Sequence, residues 1–230
     1  MRILGIDSST LTIGVAILDG ERVVAAARHD AKGRTNDLLV TIDRLCREAP
    51  VAPTELDAIA IGAGPGSFTG LRIGMATAKG IAFAAGKPLW AVSSLAALAH
   101  DAAGDPESVI ISVLDARKGE VFVGCFDGAD RPLSEERVLA PGAIADFVRG
   151  HIGDRVASYV GDAITAYPAV FAPLADRWLV TTPSGVAVAR LALAGARIDV
   201  TTGGSPTYIR PSEAEVKYPD GVPGALPRKP

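Results

Sequence analysis

Residues 61–74, IGAGPGSFTGLRIG, combine the groups that hold a phosphate: glycine backbone N–H groups beside the Ser67 and Thr69 hydroxyls. Gly62, Gly64, Gly66, Gly70 and Gly74 lie between an apolar run and an Ala-rich helical pattern. The N–H groups of Gly66, Ser67 and Thr69 would then point out at a helix N-terminus, where the dipole is positive. Two known phosphate patterns are absent. G-x-G-x-x-G counted from Gly62 needs a third glycine where Ser67 stands, and no Lys-Ser or Lys-Thr closes a Walker run. The competing reading is a tight strand-to-helix turn whose glycines permit positive φ and close backbone packing.

Two further stretches carry polar chemistry at turns. In DSST, Asp7 followed by Ser8, Ser9 and Thr10 could hold a magnesium ion and touch phosphate oxygens. It could equally close the hairpin as an Asx or Ser/Thr turn. DARKGE, residues 115–120, concentrates charge at a second turn: a solvated turn, or one in which Arg117 contacts a nucleotide or partner. The nucleotide or phosphate candidates are therefore Asp7, Ser8, Ser9, Thr10, Gly64, Gly66, Ser67 and Arg117. No metal, cofactor or catalytic residue is expected. His29, His100 and His151 are far apart, with no H-x-x-x-H or H-E-x-x-H pair. There is no C-x-x-C, and Ser67 sits in G-x-S-x-x-G rather than the nucleophile elbow.

The elements that must position these turns read as alternating strands and helices. RILGID, IGVAILDG and RVVAAARHD are strands. TNDLLVTIDRLCREA is a helix with Leu38, Leu39, Ile42, Leu45 and Cys46 on one face and Thr35 or Asn36 as N-cap. LDAIAIGAG is a buried strand, and TGLRIGMATAKGIAFAAG is a helix closed by Gly86. PLWAV leads into a Ser-capped helix, SSLAALAHDAAG, and Pro106 marks a lobe boundary. Beyond it, ISVLDARKGEVFVGCFDG lies over ILGIDSSTLTIGVAILDG without a gap, matching Ile3, Asp7, Val15, Asp19 and Gly20 to Ile111, Asp115, Val123, Asp127 and Gly128. Two lobes on one plan are expected, residues 1–105 and 106–210, each opening with an antiparallel hairpin. SYVGDAITAYPAVF and the helix SGVAVARLALAGARI continue the second lobe. The proline-rich segment 211–230 has too little apolar surface to order itself and reads as a flexible tail.

Composition narrows the classes. The 230 residues are 48% hydrophobic and 21% charged, as in a soluble globular protein. A net charge of −3 and an aromatic content of 5% give no footprint for binding nucleic acid unaided. Two cysteines form no disulfide framework, no signal-peptide pattern opens the chain, and no long uncharged apolar run is present. A cytoplasmic protein without membrane contact is expected.

GIDSST, GAGPGSFTGLRIG, LDARKGEVF, VGDA before Tyr167 and SPTYIRP occur in that order. Over about residues 1 to 217 they resemble the bacterial TsaB (YeaZ) family of tRNA threonylcarbamoyladenosine-biosynthesis proteins, with GPGSFTGLR the most specific segment. The resemblance implies an α/β fold of the actin-like (ASKHA, ribonuclease H-like) type: two lobes of mixed sheets with flanking helices. It also implies a place in the complex that adds threonylcarbamoyl to the adenosine 3′ of the anticodon in tRNAs reading codons that begin with A. In that family the chemistry belongs to the paralogue TsaD, which holds a metal through H-x-x-x-H. TsaE, an ATPase, completes the complex, and a separate enzyme makes the threonylcarbamoyl-adenylate donor. TsaB is the non-catalytic, obligate dimerisation partner, and tRNA is met mainly through the complex. One departure is local: many relatives carry a His just before the first helix, where this chain reads DAKGRTNDLL with His29 upstream. Two rivals remain, a small-molecule kinase or ATPase of the same fold and a metallopeptidase; the absent histidine pair speaks against the second.

The helix from Gly70 to Gly86 is apolar nearly all round, so both its sides should be covered. Leu71, Met75, Ala78, Ala82 and Ala85 share one face; Ile73, Thr77, Gly80 and Ala84 share roughly the opposite one. The expected TsaD interface is Leu39, Ile42, Leu71, Met75, Ala78 and Ala82, and a homodimer is a further possibility when the chain is alone. The alternative is that all six are core.

Overall fold

Two sheets with the same strand order organise the chain. The computed structural model describes residues 1–30, 37–104, 107–173 and 178–210. In the first sheet, β1 (Arg2–Asp7), β2 (Thr12–Asp19) and β3 (Arg22–Asp30) form an antiparallel meander. Helix α1 (Asp37–Glu48) leads to β4 (Ala58–Gly62), which pairs parallel with β1; α2 (Phe68–Ala85) leads to β5 (Leu89–Val92), parallel to β4. Helix α3 (Ser94–Ala102) then crosses to the second sheet.

There the plan repeats. β6 (Val109–Arg117), β7 (Glu120–Asp127) and β8 (Arg137–Leu139) are an antiparallel meander. α4 (Ile144–Ile152) precedes β9 (Ala157–Val160), which is parallel to β6. Two single-turn helices, α5 (Ala163–Ala166) and α6 (Pro168–Phe171), stand where the first lobe has α2, and β10 (Trp178–Leu179) runs parallel to β9. The spatial order β5-β4-β1-β2-β3 thus recurs as β10-β9-β6-β7-β8. The ungapped match of residues 3–20 to 111–128 places both hairpins. Its cross-strand register differs by one residue: Asp7 faces Gly14, whereas Asp115 faces Val121, one short of Phe122, because β6 carries a bulge between Asp115 and Arg117.

The central strands are buried on both faces, so each sheet needs two covers. α1 and α2 cover one face of the first sheet around Ile6, Ile59, Leu45 and Met75. α4 to α6 cover one face of the second around Ile111, Val123, Val148 and Phe171. The remaining faces are covered crosswise. α3 packs Leu95, Leu98 and Ala99 on Ile110, Leu114 and Phe122 of the second sheet. α7 (Gly185–Leu193) packs Ala187, Val188 and Leu191 on Ile3, Ala16 and Leu18 of the first, and β11 (Ile198–Asp199) extends that sheet beyond β5. A side chain on Gly5 would fall 2.0 Å from the Gly185 carbonyl oxygen, so two glycines let α7 lie directly on β1. Residues 185–199, read with the second lobe from the sequence, therefore return to the first sheet. The proposed boundary at Pro106, the N-cap at Thr35 or Asn36 and the tail 211–230 lie outside the described residues. Among the described residues, no helix is long and apolar enough to cross a membrane.

Candidate functional site

The β1–β2 turn and the glycine-rich segment meet, and they meet by packing. Asp7, at the end of β1, is completely buried. Its Oδ1 accepts from the Ser9 N–H (2.9 Å) and the Ser9 hydroxyl (2.6 Å), and its Oδ2 from the Ser94 hydroxyl (2.7 Å). Burial pushes the Asp7 carboxyl above its ordinary value, while the Ser9 and Ser94 hydrogen bonds pull the other way. The Ser67 N–H donates to the Ser9 carbonyl at 2.6 Å, and the Ser8 hydroxyl donates to the Gly70 carbonyl at 2.9 Å. A side chain on Gly66 would stand 2.3 Å from the Ser9 oxygen, and one on Gly70 2.2 Å from the Ser8 oxygen. These glycines bring two backbones into direct contact. What the segment holds is the hairpin turn of its own lobe.

Above that contact a cleft of about 540 Å³ opens toward the second lobe. Ser9, Thr10, Gly66, Ser67 and Arg117 line it; of the other sequence candidates, Asp7 and Ser8 are buried and Gly64 lies outside the lining. The opposite wall is the β6–β7 turn. Arg117 and Lys118 have φ of 62° and 55°, and Gly119 completes the turn at 76°. Asp115 holds the turn by accepting from the Arg117 N–H at 2.8 Å and pairing with its guanidinium at 3.0 Å. Asp162 accepts from the Asp115 N–H at 2.9 Å, and burial raises the Asp162 carboxyl above its ordinary value.

Composition hid the third wall. Residues 207–210 cross from one lobe to the other: the Thr207 N–H donates to the Ala63 carbonyl, and Arg210 donates to the Ala116 carbonyl and the Glu120 carboxylate. Between them Tyr208 meets Phe68, with ring centroids 5.2 Å apart. Arg72 lies 3.8 Å over the Phe68 ring, and its Nε donates to the Tyr208 hydroxyl at 3.0 Å. The motifs VGDA and SPTYIRP already contained Asp162, Tyr208 and Arg210; nothing in their local pattern aimed them at this cleft.

The expected partner face needs correction. Ile42, Leu71, Met75, Ala78 and Ala82 are buried in the core of the first lobe; Leu39 alone of the six is exposed, at 57%. On α2 the stripe of Leu71, Gly74, Met75, Ala78 and Ala82 takes the sheet. The opposite face is open. Ala76, Thr77, Gly80, Ile81 and Ala84 form, with Leu39 and Pro53, an apolar groove of about 620 Å³, and Phe83 beside it is 91% exposed.

Among the described residues no group of three His, Cys, Asp or Glu could hold a metal ion. The histidines are engaged separately: His100 with Asp130 at 2.8 Å, and His151 with the Phe147 carbonyl and ring, while His29 lies on β3.

Residues 26–202 match the model of the family described as TsaD, tRNA N6-adenosine threonylcarbamoyltransferase. A solved Pseudomonas aeruginosa structure, described as an uncharacterized protein with similarity to peptidase YEAZ, is 30% identical with a TM-score of 0.76, over 91% of this chain and 99% of that one. The Bacillus subtilis protein named tRNA threonylcarbamoyladenosine biosynthesis protein TsaB is 35% identical over 55% of this chain and 55% of its own length. The chain thus spans about half the length of the curated relatives it matches. The Clostridium difficile activator of 2-hydroxyisocaproyl-CoA dehydratase, at 14% identity and a TM-score of 0.50, shares the actin-like fold.

Proposed function

Because the chain belongs to the TsaD family of tRNA N6-adenosine threonylcarbamoyltransferases, on the side of its TsaB (YeaZ) members, we propose that it is a non-catalytic subunit of the complex that forms N6-threonylcarbamoyladenosine in tRNA. Its work is to bind and support the catalytic TsaD subunit, together with TsaE, in the cytoplasm. The observation that carries this reading is the open apolar face of α1 and α2, where Phe83 and Leu39 stand in water beside a groove of small residues. Small side chains at Ala76, Gly80 and Ala84 let a second helix approach closely, to about 8 Å between axes. In isolation the same face would serve a second copy of the chain. The kinase reading asks for a phosphate-acceptor base and an adenosine pocket in the second lobe, and here the glycine segment spends its Ser67 N–H and Gly70 carbonyl on the β1–β2 turn.

Gly80→Glu tests the proposal. No atom lies within 4 Å of the position of its added Cβ, so the side chain fits the monomer, and Glu is a better helix former than Gly. The expected outcome is an unchanged or raised melting temperature, loss of TsaD co-purification, and loss of threonylcarbamoyladenosine in a reconstituted reaction. Ala78→Glu, on the buried face, should instead lower stability by several kcal/mol, on the order of the cost of burying an unpaired carboxylate. Full capture of TsaD by Gly80→Glu would move the interface elsewhere. ATP turnover by the isolated chain would revive the kinase reading.

A further inference from the structure

The mouth of the interlobe cleft presents two half-exposed aromatic rings and an arginine plane, and the proposed role with tRNA supplies the class of flat ligand. We infer that it takes one unstacked nucleotide of a single-stranded RNA segment, the base against Phe68 and Tyr208 and the phosphodiester beside Arg72 and Arg117. This inference rests on the proposed function. Phe68 and Tyr208 are 39% and 41% exposed, and Arg72 is fixed beside them by stacking on Phe68 and a hydrogen bond to the Tyr208 hydroxyl. Aromatic rings and arginine planes are the surfaces on which single-stranded RNA bases stack. Arg117 stands on the opposite wall with its side chain 63% exposed. Three arginines line the cleft: Arg117 is paired with Asp115 and Arg210 with Glu120, while Arg72 is held by the Phe68 ring and the Tyr208 hydroxyl. A volume of about 540 Å³ suits a nucleotide-sized group.

The same geometry separates an RNA nucleotide from a free triphosphate. A triphosphate would call on the backbone N–H groups and hydroxyls of the β1–β2 turn and the glycine segment, and there Ser67 already donates to Ser9 and Ser8 to Gly70. Asp7 lies beneath that contact with both carboxylate oxygens engaged. A nucleotide entering from outside needs neither. Its base and phosphodiester meet the rim alone, which also fits a contribution of one contact to a larger RNA surface spread over partner subunits.

The test uses the full chain, alone and in the reconstituted complex with TsaD and TsaE. The probes are a fluorescent unstructured RNA hexamer, the anticodon-arm hairpin, and AMP and ATP as competitors. Tyr208→Ala and Phe68→Ala should each weaken hexamer binding about fivefold or more. Arg117→Gly should flatten the salt dependence of binding while leaving the fold intact, because glycine adopts that φ freely. In the complex, the same variants should raise the KM for tRNA. Equal affinity and equal KM for wild type and all three variants overturn the inference, as does a wild-type chain that binds no RNA in either setting. Displacement of the hexamer by micromolar ATP or AMP overturns it in favour of a free-nucleotide site. Variants that keep RNA affinity and lose TsaD or TsaE capture reassign the mouth to a protein partner. If wild type fails to support tRNA modification, the functional reading falls; if it supports modification and the variants behave as wild type, the inference alone falls.

Discussion

The two lobes open with the same hairpin, and the hairpins have opposite fates. In the first, Asp7 ends β1 and turns inward, sealed under Ser9, Ser94 and the glycine segment. In the second, Asp115 occupies the matching position, but β6 runs on to Arg117 and the turn tightens to Lys118–Gly119. The longer strand lifts Arg117 over the cleft, where Asp115 holds it. One copy of the plan became packing; the other became a polar wall. The difference lies in what sits above each turn. The first lobe has the long helix α2, whose N-terminal segment presses on its hairpin, and among the described residues the second has the single turns α5 and α6 in its place.

The largest expected contrast is between the two aspartates. Asp7→Ala leaves the Ser9 N–H, the Ser9 hydroxyl and the Ser94 hydroxyl without their acceptor in a dry site, and should cost about 3 kcal/mol of unfolding free energy. Asp115→Ala loosens a turn that borders an open cleft and should cost about 1 kcal/mol. Chemical denaturation of both variants reads the difference. Equal losses would mean that the second turn is as enclosed as the first.

A smaller effect of opposite sign is expected at Arg117. A non-glycine residue at φ near 62° is strained by about 1–2 kcal/mol, and glycine there forfeits part of the gain through its freer unfolded chain. Arg117→Gly should therefore raise stability by about 0.5 kcal/mol, also in denaturant titration, as the Arg117 backbone N–H bond to Asp115 is kept. A loss larger than about 1 kcal/mol would mean that the Asp115–Arg117 ion pair, not the backbone, governs this turn.

Much of this frame was legible in the residues. The alternation of apolar strands with Ala-rich helices gave the element order, and the repeat of ILGIDSS by ISVLDAR gave the duplication. The crosswise placement of α3 and α7 was not legible, because a helix apolar enough for either sheet carries no mark of which sheet it covers. The same ambiguity put Leu71, Met75, Ala78 and Ala82 on the wrong face of α2: an all-round apolar helix has no polar side to orient it. At the cleft, Ser9, Thr10, Ser67 and Arg117 could be named from local pattern, since turn chemistry is local. Phe68, Arg72 and Tyr208 could not, because their stack joins residues 136 positions apart in the chain.

The smallest and most specific expectation is the pH dependence of the sealed carboxyl in the first hairpin. Burial holds the Asp7 carboxyl above its ordinary value, against the hydrogen bonds from Ser9 and Ser94. A carboxyl that is easier to protonate in the folded chain than in the unfolded one favours folding fully below its unfolded value near 3.8, and that benefit fades as pH rises through the folded value. Asp7→Asn lacks this dependence, so the stability of wild type minus that of the variant should fall from about pH 4 upward and then level off. Other carboxyls titrate in both proteins, those raised by burial such as Asp101, Glu136 and Asp162 and those lowered such as Asp127, and they largely cancel in the difference. Asp101 is the exception to watch, since its charge also acts on Asp7; the double variant with Asp101→Asn should show the same downward slope, only shallower. Asp162→Asn provides the second-lobe counterpart, with a fall of the same sign, because its carboxyl too is raised mainly by burial. If instead the Asp7 difference climbs with pH, the serine hydrogen bonds outweigh burial, the carboxylate is the favoured form, and the first turn is a charged anion held in place and not a sealed packing joint.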